Sequence, residues 1–238
     1  MIPTFMTLFG PSHLSVLFAT LFTAIVFCTL ARRHPDGKLP LVLAWILGSI
    51  LVVSKLTTLY YAYSHHYLTW QNGLPMHLCD WACFTALITF ATRSQTAYEL
   101  TYFWGLAGTL QAVLTPDLNF DFPDLRFITF FASHCGIIVA LVYLTLGMGF
   151  RPTWKSIIRV VAWGQVYLLA AGLVDLISGA NYGYLRAKPL NPSLLDYFGP
   201  WPWYILTLEV LAVVFYCVYY LPFVFNDFLK KRKTNFAL

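Results

Sequence analysis

The chain has 238 residues, of which 59% are hydrophobic and only 11% are charged. Because a soluble globular domain carries about 25% charged residues, these charges are too few to cover a water-facing surface. The composition therefore excludes a soluble domain and predicts an all-α integral membrane protein. The net charge of +5 does not indicate nucleic-acid binding, since the basic residues are expected to flank membrane spans.

Seven stretches are apolar enough to be membrane spans, which need about 20 residues each. They are residues 13–31, 40–63, 76–91, 97–115, 125–149, 156–178 and 202–226. The third stretch is the shortest and the weakest. No internal repeat or Gly/Ser-rich linker is visible in the sequence. We therefore predict a seven-helix bundle that forms one polytopic domain over residues 1–238.

The loops between these stretches alternate in their content of Lys and Arg. Eleven of these residues fall on one side, three fall on the other, and Lys55 lies inside the second stretch. The eleven are Arg32, Arg33, Lys38, Arg93, Arg151, Lys155, Arg159, Lys230, Lys231, Arg232 and Lys233, and the three are Arg126, Arg186 and Lys188. The positive-inside rule then predicts an outside N-terminus and a cytoplasmic C-terminus. No positive charge precedes the first apolar run, which favours an uncleaved first span over a signal peptide.

Polar side chains inside the predicted spans are concentrated in the outer halves of those spans. They are Lys55, His77, Cys79, Asp80, Gln111, His134, Asp175 and Glu209. Ionisable groups at membrane depth pair or line a wet cavity, so we expect Lys55 to pair with Asp80, Asp175 or Glu209. The inner halves are predicted to be almost purely apolar. This asymmetry predicts a polar pocket open to the outer leaflet, and the alternative is that the same groups only hold helices together.

The segment of residues 181–203 reads NYGYLRAKPLNPSLLDYFGPWPW and contains four prolines, which exclude a regular helix through most of it. It is too apolar to be a free linker. We predict that it folds over the outer mouth as a lid, where Arg186 or Lys188 would hold a lipid phosphate. The alternative is an interfacial loop anchored by Trp and Tyr side chains.

The stretch LPMHLCDW places His77, Cys79 and Asp80 at the outer end of the third span. Cys79 is the best candidate nucleophile, because a thiol is a few per cent ionised near neutral pH. His77 lies about 200° away around the helix, so the base is expected from another helix. His134 is the only histidine in the interior of a predicted span. At 1.5 Å per residue, Cys79 is expected about 6 Å below Pro75 and His134 about 16 Å below Pro123, which argues against the pair. The difference shrinks if the acidic segment of residues 117–124 and the first turn of the fifth span lie outside the bilayer.

Other roles for these residues stay open. A cysteine in a membrane helix is often a small packing residue, and a buried histidine is often a hydrogen-bonded strut. A metal site from His77, Cys79, Cys83, His134 and Cys135 would match no standard zinc spacing, so neither a metal nor another cofactor is expected. None of the five cysteines forms a C-x-x-C pair, and a disulfide framework is not expected.

The stretches LPMHLCD, GTLQAVLTPDL, FFASH and NPSLLDYFGPWPW resemble the bacterial YwaF-like membrane proteins over about residues 40–225. Those proteins look related to the transmembrane protein 164 acyltransferases and, more distantly, to the androgen-induced-gene type of intramembrane hydrolases. The resemblance implies a nucleophile at Cys79, a histidine partner at His134 and a bacterial plasma membrane. The sequence MHLCD departs from the eukaryotic pattern, which has a proline just before the cysteine and a histidine just after it.

The expected function is acyl transfer on membrane phospholipids or lysolipids. Cys79 would be the nucleophile, His134 its base, and Asp80 or Asp175 would orient the histidine. The predicted substrate-binding residues are His77, Lys55, Gln111, Arg186, Lys188 and Glu209. With water as the acceptor, the protein would be a lipid hydrolase. The alternatives are a proton-coupled carrier and a non-catalytic binding or scaffold protein, and the oligomeric state is left open.

Overall fold

A computed structural model describes residues 6–189 and 194–235, and every regular element within those ranges is helical. The helices are α1 (Pro11–Arg33), α2 (Leu39–Ser64), α3 (Leu78–Thr92), α4 (Gln95–Trp104), α5 (Leu110–Leu114), α6 (Leu125–Val142), α7 (Trp154–Ser178) and α8 (Trp203–Asn235). A π-helical turn, Gly105–Thr109, joins α4 and α5 into one rod, and a second, Tyr143–Gly147, extends α6. Two short 3-10 turns, Tyr182–Tyr184 and Leu194–Tyr197, lie between α7 and α8.

Five of these helices are long and apolar enough to cross a membrane. They are α1, α2, α6 with its π-helical turn, α7 and α8. The shorter α3 has 15 residues, and the rod of α4 and α5 occupies the fourth predicted stretch. Each of the seven apolar stretches therefore coincides with one helical segment, and the protein is a helical membrane protein. The crossing by all seven segments, the single domain and the orientation stay predictions.

Helix ends follow ordinary capping chemistry. Ser94 separates α3 from α4 and accepts the Ala97 N–H at 3.3 Å, directly after Arg93 takes a positive φ of 59° that ends α3. Asp124 caps α6 by accepting the Arg126 N–H at 2.8 Å. Gly179 ends α7 with a φ of 73°. Ser94 and Asp124 therefore mark the start of a helix, and Arg93 and Gly179 mark the end of one.

The bundle is organised around α6, which packs against α1, α2, α3 and the α4–α5 rod. In the apolar window of α6, 61% of the residues are buried inside the protein, against 17% in α1 and 6% in α8. The core between α2, α3, α6 and the rod contains fully buried aromatic side chains such as Trp104, Phe103 and Tyr143. α7 packs on α4, and α8 packs mainly on α7. α6 is therefore the central helix of the fold, and α3 is one of the helices that pack against it.

The upper end of the bundle is defined here as the end where α2 stops at Ser64 and α6 starts at Leu125. The lower end is the end where α4 and α7 begin. The prediction that the inner halves of the spans are almost purely apolar is wrong there. Glu99 is fully buried there, and its carboxylate accepts two hydrogen bonds from the Arg159 guanidinium at 2.6 and 2.7 Å. Gln95 donates a third at 3.0 Å. This two-point ion pair ties α7 to α4.

Candidate functional site

Lys55 of α2 and Asp80 of α3 form an ion pair, with Nζ and Oδ1 2.6 Å apart. The Asp80 side chain is 10% exposed and the Lys55 side chain is 35% exposed. The second carboxylate oxygen of Asp80 accepts the His77 N–H at 3.1 Å. Asp80 therefore neutralises a lysine inside the bundle and also closes the first turn of α3. Of the three carboxylates expected as partners of Lys55, Asp80 is the one in contact.

The start of α3 lies level with the middle of the π-helical turn. A Cβ added at Gly108 in that turn would lie 3.1 Å from Leu78 Cδ2, so a glycine lets the two segments approach closely. Leu78 is the first residue of α3. Cys79 follows it and lies within about 1.5 Å of the same height along the bundle.

The π-helical turn itself lies at the height of the middle of α6. A Cβ at Gly105 would lie 2.5 Å from Leu141 Cδ2, whereas Val113, further along the rod, packs with Phe127. The contacts run in opposite directions along the two segments, so the rod is antiparallel to α6. Gly108 lies between these two contacts along the rod. Linear interpolation between them places Gly108 opposite roughly residue 135 of α6.

These contacts favour nearly equal heights for Cys79 and His134, which agrees with the alternative that the first turn of the fifth span lies outside the bilayer. The ion pair supports this height independently. Gly136 faces Leu51, because a Cβ there would lie 2.9 Å from Leu51 Cδ2. Lys55 is one turn further towards the upper end of α2, so it lies opposite roughly residue 132 of α6. Cys79 reaches the height of His134 because α3 begins deep in the bundle.

Cys79 also lies on the face of α3 that is directed at α6. The α3 residues in contact with α2 are Asp80 and Leu87, and those in contact with the rod are Leu78 and Thr85. At about 100° per residue, Cys79 and Ala86 fall between these two directions. α6 packs against both α2 and the rod, and Ala86 is fully buried, whereas Phe84 and Ile88 on the opposite face are exposed. The Cys79 side chain is half-buried and packs against the main core.

His134 is held in one tautomer by the helix that carries it. Its Nδ1 lies 2.8 Å from the carbonyl oxygen of Phe130, and the two rings stack at 4.1 Å. A carbonyl can only accept, so Nδ1 carries the hydrogen and Nε2 carries the lone pair. The imidazole lies within the electrostatic field of Lys55, Asp80 and His77. The Phe130 carbonyl therefore orients this histidine, which is the role that the sequence assigned to Asp80 or Asp175.

A second wall of the site comes from α7 and the residues after it. Asp175 is 1% exposed, and its Oδ1 accepts the Tyr182 N–H at 2.7 Å. The Tyr182 hydroxyl donates to the Trp70 carbonyl and accepts the Leu74 N–H, both at 2.9 Å. The His77 ring packs edge-on against Tyr182 at 5.1 Å. These contacts connect the end of α7 to the segment that leads into α3.

The two cations of the predicted lid are held by backbone carbonyls. Arg186 donates to the carbonyl of Asp175 at 3.4 Å, at the C-terminal end of α7, where a cation is favoured by the helix dipole. Lys188 donates to the carbonyl of Asp196 at 3.4 Å. Residues 190–193 of this loop lie outside the described residues. The lid and the binding of phosphate by these cations stay predictions.

The remaining predicted binding residues lie in α5 and α8. The backbone carbonyl of Gln111 accepts the Thr115 N–H at 2.8 Å. Glu209 accepts a hydrogen bond from the exposed side chain of Gln165 at 3.0 Å, between α8 and α7. Glu209 therefore pairs with Gln165 and not with Lys55. All five cysteines are free, and no group of three or more metal-ligating side chains occurs within the described ranges.

Sequence reasoning missed two buried groups. The ion pair of Glu99 with Arg159 could have been found from the sequence, because both are charged residues inside predicted spans. Tyr167 of α7 is 5% exposed and packs against the start of α3, beside Leu78 and Trp81. Nothing in the sequence distinguishes it from the other tyrosines, of which the chain has 15 in total.

Comparisons with known proteins agree with a membrane protein of one family. The model of the TMEM164 family matches residues 8–220 of the chain. An uncharacterized protein of Treponema pallidum (strain Nichols) is 31% identical over 156 residues, which are 65% of this chain. The chain spans 64% of the length of that relative. No solved structure matches the chain.

Proposed function

The chain belongs to the TMEM164 family, and from this membership and the geometry around α3 we propose that it is an intramembrane lipid acyltransferase. Cys79 is the nucleophile and His134 is its base. The proposal is supported chiefly by one observation, the 2.8 Å contact of His134 Nδ1 with the Phe130 carbonyl oxygen, which assigns the hydrogen to Nδ1 and leaves Nε2 as the nitrogen that can accept a proton. The height of the first turn of α3 supports it further, because both side chains belong to one layer of the bundle.

The reaction begins with transfer of the Cys79 thiol proton to His134 Nε2. The sulfur then attacks the carbonyl carbon of a fatty ester, and the lysolipid alcohol leaves with the proton from the imidazolium. The product is a thioester between Cys79 and the acyl chain. A second lysolipid, or another hydroxyl or amine, takes the acyl group in the second half-reaction. Water in that position gives hydrolysis instead.

The Lys55–Asp80 ion pair stabilises the charged state of the base. Protonation of His134 creates a cation in a desolvated layer, and the Asp80 carboxylate lies within electrostatic range of it. Lys55 fixes the position of that carboxylate, with Nζ and Oδ1 2.6 Å apart. The ester carbonyl reaches this layer from the membrane, so the site excludes bulk water while its substrate is already concentrated beside it. In this proposal the pocket opens to the outer leaflet of a bacterial plasma membrane.

The test is mass spectrometry of the purified protein after incubation with a phospholipid that carries an alkyne-tagged acyl chain. We expect a hydroxylamine-sensitive acyl group on Cys79, absent from Cys79→Ala. In His134→Gln the rate of acylation is expected to fall by about 10²-fold or more, the usual effect of losing a general base.

Two matched variants control for structural damage. Cys83→Ala removes a half-buried thiol one turn further along α3. His13→Gln removes a fully buried histidine whose Nε2 bonds the Val113 carbonyl at 2.8 Å. Both are expected to leave acylation of Cys79 intact. Acyl label spread evenly over all five cysteines would refute the proposal, and uptake of a solute into liposomes that depends on Lys55 would favour a carrier.

A further inference from the structure

The hydroxyl group of Tyr167 is buried and makes no hydrogen bond of regular geometry among the residues that the structure describes, although the backbone N–H of Leu78 lies close to it. The side chain belongs to α7 and is 5% exposed. Native proteins satisfy most buried hydroxyl groups, because an unsatisfied one costs free energy that a phenylalanine would not. The hydroxyl is therefore available to donate a hydrogen bond to a bound molecule.

Tyr167 lies against the first turn of α3. It packs with Leu78 and Trp81, the residues that flank Cys79 and Asp80, and its ring centroid is 5.4 Å from that of Trp81 at an interplanar angle of 78°. The phenol also lies within the electrostatic field of Cys79. The unpaired hydroxyl is thus beside the proposed nucleophile and on a different helix from the proposed base.

Gly183 makes room for this hydroxyl. A Cβ at Gly183 would collide with the Tyr167 hydroxyl oxygen, and the glycine also has a positive φ of 63°. Only a glycine combines that backbone conformation with so close an approach. The loop after α7 is therefore shaped around the position of the Tyr167 hydroxyl.

The N-terminal end of α3 supplies further donors at the same place. Leu78 and Cys79 are the first two residues of the helix, and N–H groups in a first turn have no acceptor within the helix. The positive end of the helix dipole also points there. An O–H group and the N–H groups of a helix first turn beside a nucleophile are the donor types of an oxyanion hole.

We propose that Tyr167 is a catalytic residue that donates a hydrogen bond to the oxyanion of the acyl-transfer reaction. This inference rests on the proposed function and deepens it. When the Cys79 sulfur bonds to the ester carbonyl carbon, the π electron pair of the carbonyl moves onto oxygen. The Tyr167 O–H donates to that oxygen while the proton from the thiol stays on His134. Collapse re-forms the carbonyl, breaks the ester C–O bond and returns the proton to the leaving alkoxide.

Two reagents separate this role from a packing role. The p-nitrophenyl ester of octanoic acid acylates a thiol through an oxyanion, whereas iodoacetamide alkylates a thiol by displacement of iodide and forms none. Both rates are measured on Cys79 by mass spectrometry of the full-length protein. In Tyr167→Phe we expect acylation to fall by about 10²-fold, the usual loss for one oxyanion donor, with alkylation within twofold of the wild type.

The matched control is Tyr98→Phe. Tyr98 is fully buried near the lower end of the bundle, and its hydroxyl bonds Thr145 Oγ1 at 3.0 Å. This variant is expected to lower the melting temperature and leave both rates unchanged, whereas Tyr167→Phe, which loses no bond, is expected to keep its melting temperature. Gly183→Ala, which displaces the Tyr167 hydroxyl, is expected to lose acylation selectively.

Three results would overturn the assignment, and they can be told apart. If Tyr167→Phe is acylated as fast as the wild type, Tyr167 donates nothing to the oxyanion. If both rates fall together, the side chain acts on the packing of α3 and not on the carbonyl. If the wild type is alkylated on Cys79 but never acylated there, the proposed function itself fails, and the role of Tyr167 falls with it.

Discussion

Replacing Lys55 by methionine tests the contact that holds α3 at its height. Methionine keeps the length of the apolar stem and removes only the charge that pairs with Asp80. Asp80 then remains as a carboxylate with a 10% exposed side chain and no cation beside it. Such a charge is costly in an apolar interior, so the variant is expected to be clearly less stable than the wild type.

The size of the effect follows from the geometry of the pair. Two unit charges 2.6 Å apart attract by about 6 kcal/mol at an effective dielectric constant of about 20. Desolvation offsets much of that attraction, and removal of one partner of a buried pair costs about 3–5 kcal/mol. Lys55 is 35% exposed, which favours the lower end of this range. For a chain of this size, a loss of about 3 kcal/mol lowers the melting temperature by about 6–12 °C.

The assay is thermal unfolding of the purified protein in detergent, followed by circular dichroism. Asp227→Asn is the matched control, because it breaks a pair with Arg151, at 2.7 Å, that is exposed to solvent and is expected to contribute little to stability. The double variant Lys55→Met/Asp80→Asn is expected to melt above Lys55→Met, since the uncompensated charge is gone. If Lys55→Met melts no lower than the control, the ion pair does not hold α3 in place.

Three further outcomes are expected. In Gly105→Ala the new Cβ would lie 2.5 Å from a buried leucine of α6, so the free energy of unfolding is expected to fall by about 1–3 kcal/mol. Gly164→Ala is the control, because its Cβ meets open space and no loss of stability is expected in the same thermal unfolding assay. Glu99→Gln weakens the buried ion pair of α4 and α7, and a lower melting temperature measured by circular dichroism is expected. The hydrogen bond from Arg126 holds the pKa of Asp124 below its ordinary value of 3.8. The ionised Asp124 carboxylate therefore contributes fully to stability above about pH 4, and this contribution is lost as the pH falls through the lower, folded pKa. The melting temperature is measured against pH. It is expected to fall in that range in the wild type and to fall less in Asp124→Asn.

The helices could be predicted from the sequence because apolar runs and their ends are local properties. The second stretch was predicted over residues 40–63 and the helix is Leu39–Ser64, and the sixth was predicted over 156–178 and the helix is Trp154–Ser178. A proline lies in the first turn of α2, and Gly179 directly follows the last residue of α7, so local residues mark these ends. A protein that must satisfy its backbone polar groups in lipid has few alternatives to helices over such runs.

The height of α3 could not be predicted in the same way, because it depends on residues of other helices. Depth counted from the start of each span separates Cys79 from His134 unless the first turn of the fifth span lies outside the bilayer, and the sequence does not decide between these two cases. Gly108 and the Lys55–Asp80 pair instead place the start of α3 beside the middle of α6. Neither contact leaves a periodic signal in the sequence of α3 itself. The candidate residues could therefore be named from the sequence, but their relative positions required the fold.

The short length of α3 connects the fold to the chemistry. Its 15 residues span about 22 Å, less than the roughly 30 Å of a bilayer core, so a helix that reaches the lower end must begin below the upper surface. If α3 crosses the membrane as predicted, that start places first-turn N–H groups at membrane depth, where an unsatisfied N–H is costly. Asp80 satisfies the His77 N–H, but Leu78 and Cys79 have no acceptor within the helix. An ester carbonyl bound beside Tyr167 would supply the acceptor that the hydroxyl and these N–H groups lack.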